Sequence, residues 1–132
     1  MNSAAQDIKD MLEGESSLGL VFATNLFVGR EPTSPDNTVT IFETSSQPPQ
    51  LTLEGEGATL NYSSVQIRVR NRSYQTGWDM VDSIQDKLHG RAGETWNSTL
   101  YNSIYCSSGP AFMDWDDNDR IRFIINFNIV RR

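Results

Sequence analysis

The chain has 132 residues, with 17 acidic against 11 basic side chains and a formal net charge of −6. A chain of this length buries roughly two-thirds of its unfolded surface on folding, enough for one core and not two, so a single domain over residues 1–132 is expected. An aromatic content of 10% excludes a compositionally disordered chain, no apolar run reaches the ~20 residues of a membrane span, and the acidic balance speaks against a dedicated nucleic-acid binder, which carries a basic face.

The first five residues lack the basic and apolar stretches of a signal peptide. Cys106 is the only cysteine, which excludes an intrachain disulfide and fits a reducing compartment, so synthesis in the cytoplasm is expected. Ser3 is placed to N-cap a first helix with Ile8, Met11 and Leu12 on one face, stopped by Gly14. Residues 18–28 are apolar with little polar relief and predict a strand or extended segment. Turn formers then crowd residues 29–37, and residues 38–44 predict a strand with Val39, Ile41 and Phe42 available for burial. Residues 45–64, with Pro48-Pro49 and Gly55-Glu56-Gly57, predict a long flexible loop or hairpin arm.

In Val65-Gln66-Ile67-Arg68-Val69-Arg70 the odd positions are apolar and the even ones polar, the pattern of a half-buried strand with Arg68 and Arg70 pointing away from the core. Ser73 is placed to cap a second helix in which Tyr74, Trp78, Val81, Ile84 and Leu88 recur at three- and four-residue steps, ending at Gly90. Residues 95–107 predict a strand, Gly109-Pro110 and residues 114–119 predict turns, and residues 121–130 predict a closing strand inside the sheet, apolar on both faces near its middle. The order favours an α+β fold: one antiparallel or mixed sheet with two helices packed on one face. No internal repeat is visible.

Catalytic chemistry is scarce. The one histidine, His89, falls at a helix end, where a cation complements the helix dipole. Cys106 has no neighbouring Cys or His in sequence and reads as a small hydrophobe. A zinc site is therefore not expected. A calcium loop opening at Asp114 needs Gly at its sixth position and Glu at its twelfth, where the chain has Asp119 and Ile125. Gly55-Glu56-Gly57 lacks the further glycine and the lysine of a phosphate loop. No cofactor, metal or enzymatic activity is expected.

The charge is unevenly spread. Residues 1–60 hold nine acids and two bases, residues 61–119 eight acids and five bases, and residues 120–132 four arginines and no acid. That distribution describes either a solvated surface with a basic last strand or a subunit with unlike surfaces that packs beside copies of itself.

Asn25-Leu26-Phe27-Val28-Gly29-Arg30-Glu31-Pro32-Thr33-Ser34-Pro35-Asp36-Asn37, continued by a strand ending in Glu43-Thr44, resembles the opening of tail terminator and related minor capsid (head-tail joining) proteins of long-tailed bacteriophages. Residues 65–71, followed by Ser73-Tyr74 and the helix to Leu88-His89-Gly90, resemble the same family's central strand-to-helix unit. A proline often precedes that strand in the family, where this chain has Tyr62-Ser63-Ser64.

The resemblance implies a non-enzymatic virion protein at the tail-neck junction. Such a protein forms a hexameric ring that caps the tail tube protein, ends tail polymerisation and meets a head-side connector or neck protein, while DNA passes through the lumen without specific binding. A ring of identical subunits needs two different patches on each copy. The expected subunit contact pairs Arg68, Arg70 and Arg72 with acids of the next copy such as Glu54 and Glu56, and the lumen is expected to be lined by carboxylates that keep phosphates from adhering. Two readings remain beside it: another neck or head-tail completion protein, and a small nucleic-acid-binding module using the Arg68–Arg72 patch.

Overall fold

Ser3 caps the first helix, α1 (Ala4–Glu13), its hydroxyl oxygen accepting from the Gln6 N–H at 3.3 Å, and Gly14 follows the last turn. Ser73 does the same for α2 (Tyr74–Leu88), accepting from the Thr76 N–H at 3.3 Å. Each cap satisfies an amide that the helix leaves without an internal partner. These helices belong to a computed structural model in which residues 1–51 and 59–132 are described. Seven strands complete it: β1 (Leu26–Val28), β2 (Thr38–Glu43), β3 (Gln47–Leu51), β4 (Thr59–Asn71), β5 (Glu94–Trp96), β6 (Thr99–Trp115) and β7 (Ile121–Arg131).

The strands form one mixed sheet in the order β1-β2-β4-β7-β6-β5, with β3 paired to the start of β4. β1 runs parallel to β2, and the other pairs are antiparallel. Register aligns the apolar positions: Ile41 lies opposite Ile67 and Ile67 opposite Ile125. Ile8, Met11 and Leu12 of α1 and Val81, Ile84 and Leu88 of α2 join these residues in one core, so both helices cover the same face. The fold is α+β, with β7 in mid-sheet as its composition predicts.

Several local expectations are corrected. Of residues 18–28 only Leu26–Val28 is a strand. A 3-10 turn (Ser16–Leu18) precedes it, and Gly19 (φ 65°) and Ala23 (φ 66°) are left-handed, which interrupts an extended run while Leu18 and Leu20 still reach the core. Within 45–64, where a long loop or hairpin arm is expected, β3 pairs with β4 from Gln47 opposite Tyr62 to Leu51 opposite Thr59, and residues 52–58 between them lie outside the described residues. Glu54 and Glu56 lie outside the described residues. Gly109-Pro110 is no turn but part of β6, where register shifts on either side of Ser108 absorb the irregularity. His89 also ties the end of α2 to β6, its Nδ1 accepting from the Cys106 N–H at 2.9 Å.

Candidate assembly surface

The helices cover one face of the sheet and the alternation of β4 and β7 puts polar side chains on the other. Ser64 Oγ donates to Asn128 Oδ1 at 2.9 Å and Gln66 Nε2 to Asn126 Oδ1 at 3.3 Å, a cross-strand polar ladder on the face opposite Val65, Ile67 and Phe127. At one end of this face the turn-forming segment 31–37 folds back over three arginines, Arg70, Arg120 and Arg122. Glu31 lies 3.4 Å from Arg70 and 3.0 Å from Arg122. Arg70 also donates to the carbonyls of Pro35 (2.7 Å) and Asp36 (3.2 Å). Arg120 donates to the Thr33 carbonyl at 2.6 Å and to Asp116 at 2.7 Å, and Arg122 grips Asp114 through two bonds of 2.6 and 2.8 Å.

Burial, then the neighbouring Arg120 charge, lowers the Arg70 guanidinium below its ordinary value, while the hydrogen bonds that Arg122 donates to Asp114 hold Arg122 above it. Burial alone would raise the Asp116 carboxyl, but the Arg120 backbone N–H, its guanidinium and the Asn118 N–H outweigh that and hold it below the usual range. The ordering of 31–37 is thus electrostatic, with guanidinium forks accepted by carboxylates and peptide oxygens in place of an apolar anchor.

The three arginines expected on a subunit contact divide. Arg70 does point off the core face, but it is buried under segment 31–37 and its charge is used within the subunit. Arg72 is exposed, with its Nε 2.6 Å from Asp36. Arg68 is half-buried with its guanidinium 4.9 Å from the Phe42 ring centroid, and its buried Nε has no hydrogen-bond partner among the described residues. Among the described residues no group of three or more His, Cys, Asp or Glu side chains is placed to hold a metal ion.

The model of a protein family described as bacteriophage tail terminator protein matches residues 3–131, nearly the whole chain. The chain belongs to the bacteriophage tail terminator family. The resemblance in residues 25–44 and 65–90 is to this same family, and it makes the protein a phage structural protein and a component of the virion. In fold it is similar to a chain of the virion of a native gene transfer agent particle, at TM-score 0.66 and 12% identity, covering 98% of this chain and 94% of that one. No curated protein matches it in sequence.

One feature of this tail terminator family member has no sequence signature. Asp7 of α1 is wholly buried, accepting from the Tyr101 hydroxyl, from Asn97 Nδ2 at 2.6 Å and from Asn2 Nδ2 at 3.4 Å, with Arg131 3.9 Å away. Its partners Asn97, Tyr101 and Arg131 all lie far along the chain, so nothing near Asp7 in sequence distinguishes it from the other acids of the first helix. It joins α1 to β6, β7 and the β5–β6 turn and is structural.

Proposed function

We propose that six copies close into a ring that caps the tail tube at the tail-neck junction, ends its polymerisation and offers the head-side connector a surface, with DNA passing through the lumen. The reading is carried by the family match over residues 3–131. Two features of the fold support it. The sheet has unlike edges, β1 at one end and β6 with β5 at the other, which suits head-to-tail association. Half-buried Arg68 presents a guanidinium on the face without helices, a cation suited to a carboxylate of a neighbour. Arg68 and the exposed Arg72, on the strand end anchored by Arg70, are the proposed contact with Glu54 and Glu56 of the next copy. A lumen wall richer in carboxylate than in arginine completes the proposal, and a ring whose channel is lined mainly by arginine sinks that part.

The test is the mass and symmetry of the protein incubated with and without tail tubes, read by light scattering and negative-stain imaging. Six-fold rings at tube ends, and tubes that cease to elongate when it is added, are expected; twelve-fold rings assign the chain to the connector side of the neck. Arg68→Glu is expected to raise the concentration needed for ring closure by on the order of tenfold, with recovery in the Arg68→Glu, Glu54→Arg, Glu56→Arg combination.

A further inference from the structure

Segment 31–37 lies between β1 and β2 in the chain and covers the arginine end of the face without helices. None of its side chains joins the core: Thr33, Ser34, Pro35 and Asn37 are exposed, and Glu31, Pro32 and Asp36 are half-buried. Its two ends are tied down. The Gly29 N–H donates to the Ile41 carbonyl at 2.8 Å, with Gly29 in the left-handed region (φ 77°). At the other end Asn37 Oδ1 accepts from the Arg72 N–H at 3.1 Å.

Beneath the segment, Arg70 of β4 and Arg122 of β7 lie directly opposite each other in register. Like charges in that position destabilise a sheet. One atom relieves them: Glu31 Oε1, 3.4 Å from Arg70 and 3.0 Å from Arg122. The arginines depend on the segment unequally. Arg122 is also held by two bonds to Asp114, and Arg120 by Asp116, acids that lie outside it. Arg70 is 3% exposed. Its polar partners among the described residues, Glu31 and the carbonyls of Pro35 and Asp36, all belong to the segment.

We propose that segment 31–37 is a strap that lifts from the folded sheet as a unit, with the Glu31 carboxylate as its clasp between Arg70 and Arg122. Lifting takes no side chain out of the core, and the guanidinium and carboxylate groups regain water as they part, which offsets much of their attraction. The open strap is therefore a local state, reached without global unfolding. Opening leaves Arg120 and Arg122 with their acids and Arg70 bare, so this end of the face turns from neutralised to basic. Dissolved salt favours the open form by screening the charges as they separate. The strap belongs to the single subunit and is independent of ring closure.

The experiment labels the folded protein with phenylglyoxal, which modifies accessible arginine side chains, and reads Arg70 and Arg131 separately by peptide mass spectrometry. Arg131 is buried too, beside Asp7, and reports opening elsewhere in the fold. In wild type, Arg70 is expected to react at a rate that sodium chloride raises and that urea below the unfolding transition leaves unchanged. Glu31→Gln is expected to speed Arg70 modification about tenfold, because a hydrogen bond to a charged group is weakened, with the Arg131 rate unchanged. An Arg70 rate that rises with urea in step with global unfolding overturns the inference, as does one indifferent to salt or to Glu31→Gln. Equal acceleration at Arg70 and Arg131 in the variant overturns it too, making Glu31 a support of the whole fold. Should Glu31→Gln fail to fold, the urea and salt series on wild type decide alone.

Discussion

Tyr101 shows how one buried hydroxyl holds three elements together. Burial first, and the neighbouring Asp7 carboxylate second, push the phenol above its ordinary value, so it remains a donor. Tyr101→Phe removes the shortest bond to a carboxylate that has no exposure at all, and a hydrogen bond to a charged group contributes about 1.5–3 kcal/mol. Chemical denaturation is expected to read a loss of that size, with the far-ultraviolet circular dichroism unchanged; a loss below about 0.5 kcal/mol means Asn97 and Arg131 suffice for Asp7. At this scale the sequence is least informative. The polar alternation of β4 announces that Arg70 leaves the core face, yet its burial depends on segment 31–37 returning over it, and turn formers say where a chain bends rather than what it then covers. The same limit hides Asp7, whose neighbours in sequence are ordinary helix residues.

Among the elements, α2 depends on a glycine in its first half. A Cβ on Gly77 lies 3.1 Å from both Asn71 Cβ and Phe123 Cε2, so the helix approaches β4 and β7 as closely as an unsubstituted backbone allows. Gly77→Ala gains about 1 kcal/mol of helix propensity and meets an overpacking cost of about 1–3 kcal/mol. A net destabilisation of about 1 kcal/mol is expected in thermal melts, and a stabilised variant shows that Phe123 gives way freely. Such elements are legible where pattern and end signals agree, as with the serine caps, the period of α2 and the alternation of β4. They are not where tertiary pairing overrides a local signal. Pro110 predicts a turn, but β7 continues alongside and register shifts carry β6 past it. Tyr74 and Trp78 keep the helical period of the core stripe yet overhang its edge, because the sheet beneath them ends at β6.

For the molecule as a whole, the negative net charge is distributed by pairing. Asp36 is held below its ordinary value by the Arg72 hydrogen bond; Asp10 and Asp116, which burial would raise, are held below it by their hydrogen-bonding partners. A carboxyl whose folded value is depressed stabilises the fold fully above its unfolded value, here 3.8, and loses that contribution as pH falls through the folded value. Melting temperature is therefore expected to fall as pH drops below about 4. Asp116→Asn is expected to be less stable at pH 7 and to show a shallower acid loss. Equal acid slopes for wild type and variant would mean that Asp116 pairs no better folded than unfolded.

The last strand but one has a further consequence. The outer side of β6 is covered as far as Cys106 by the segment around β5, through bonds such as Gly90 N–H to the Ile104 carbonyl and Cys106 N–H to His89 Nδ1. Beyond that point no described strand pairs with it, while its inner side carries repeated register shifts and Pro110 lacks an amide. A straight, regular border of this length would invite copies to zip together without end and deplete the free pool before any tail existed. The crooked border is a poor template for that route, which protects the pool of free chains.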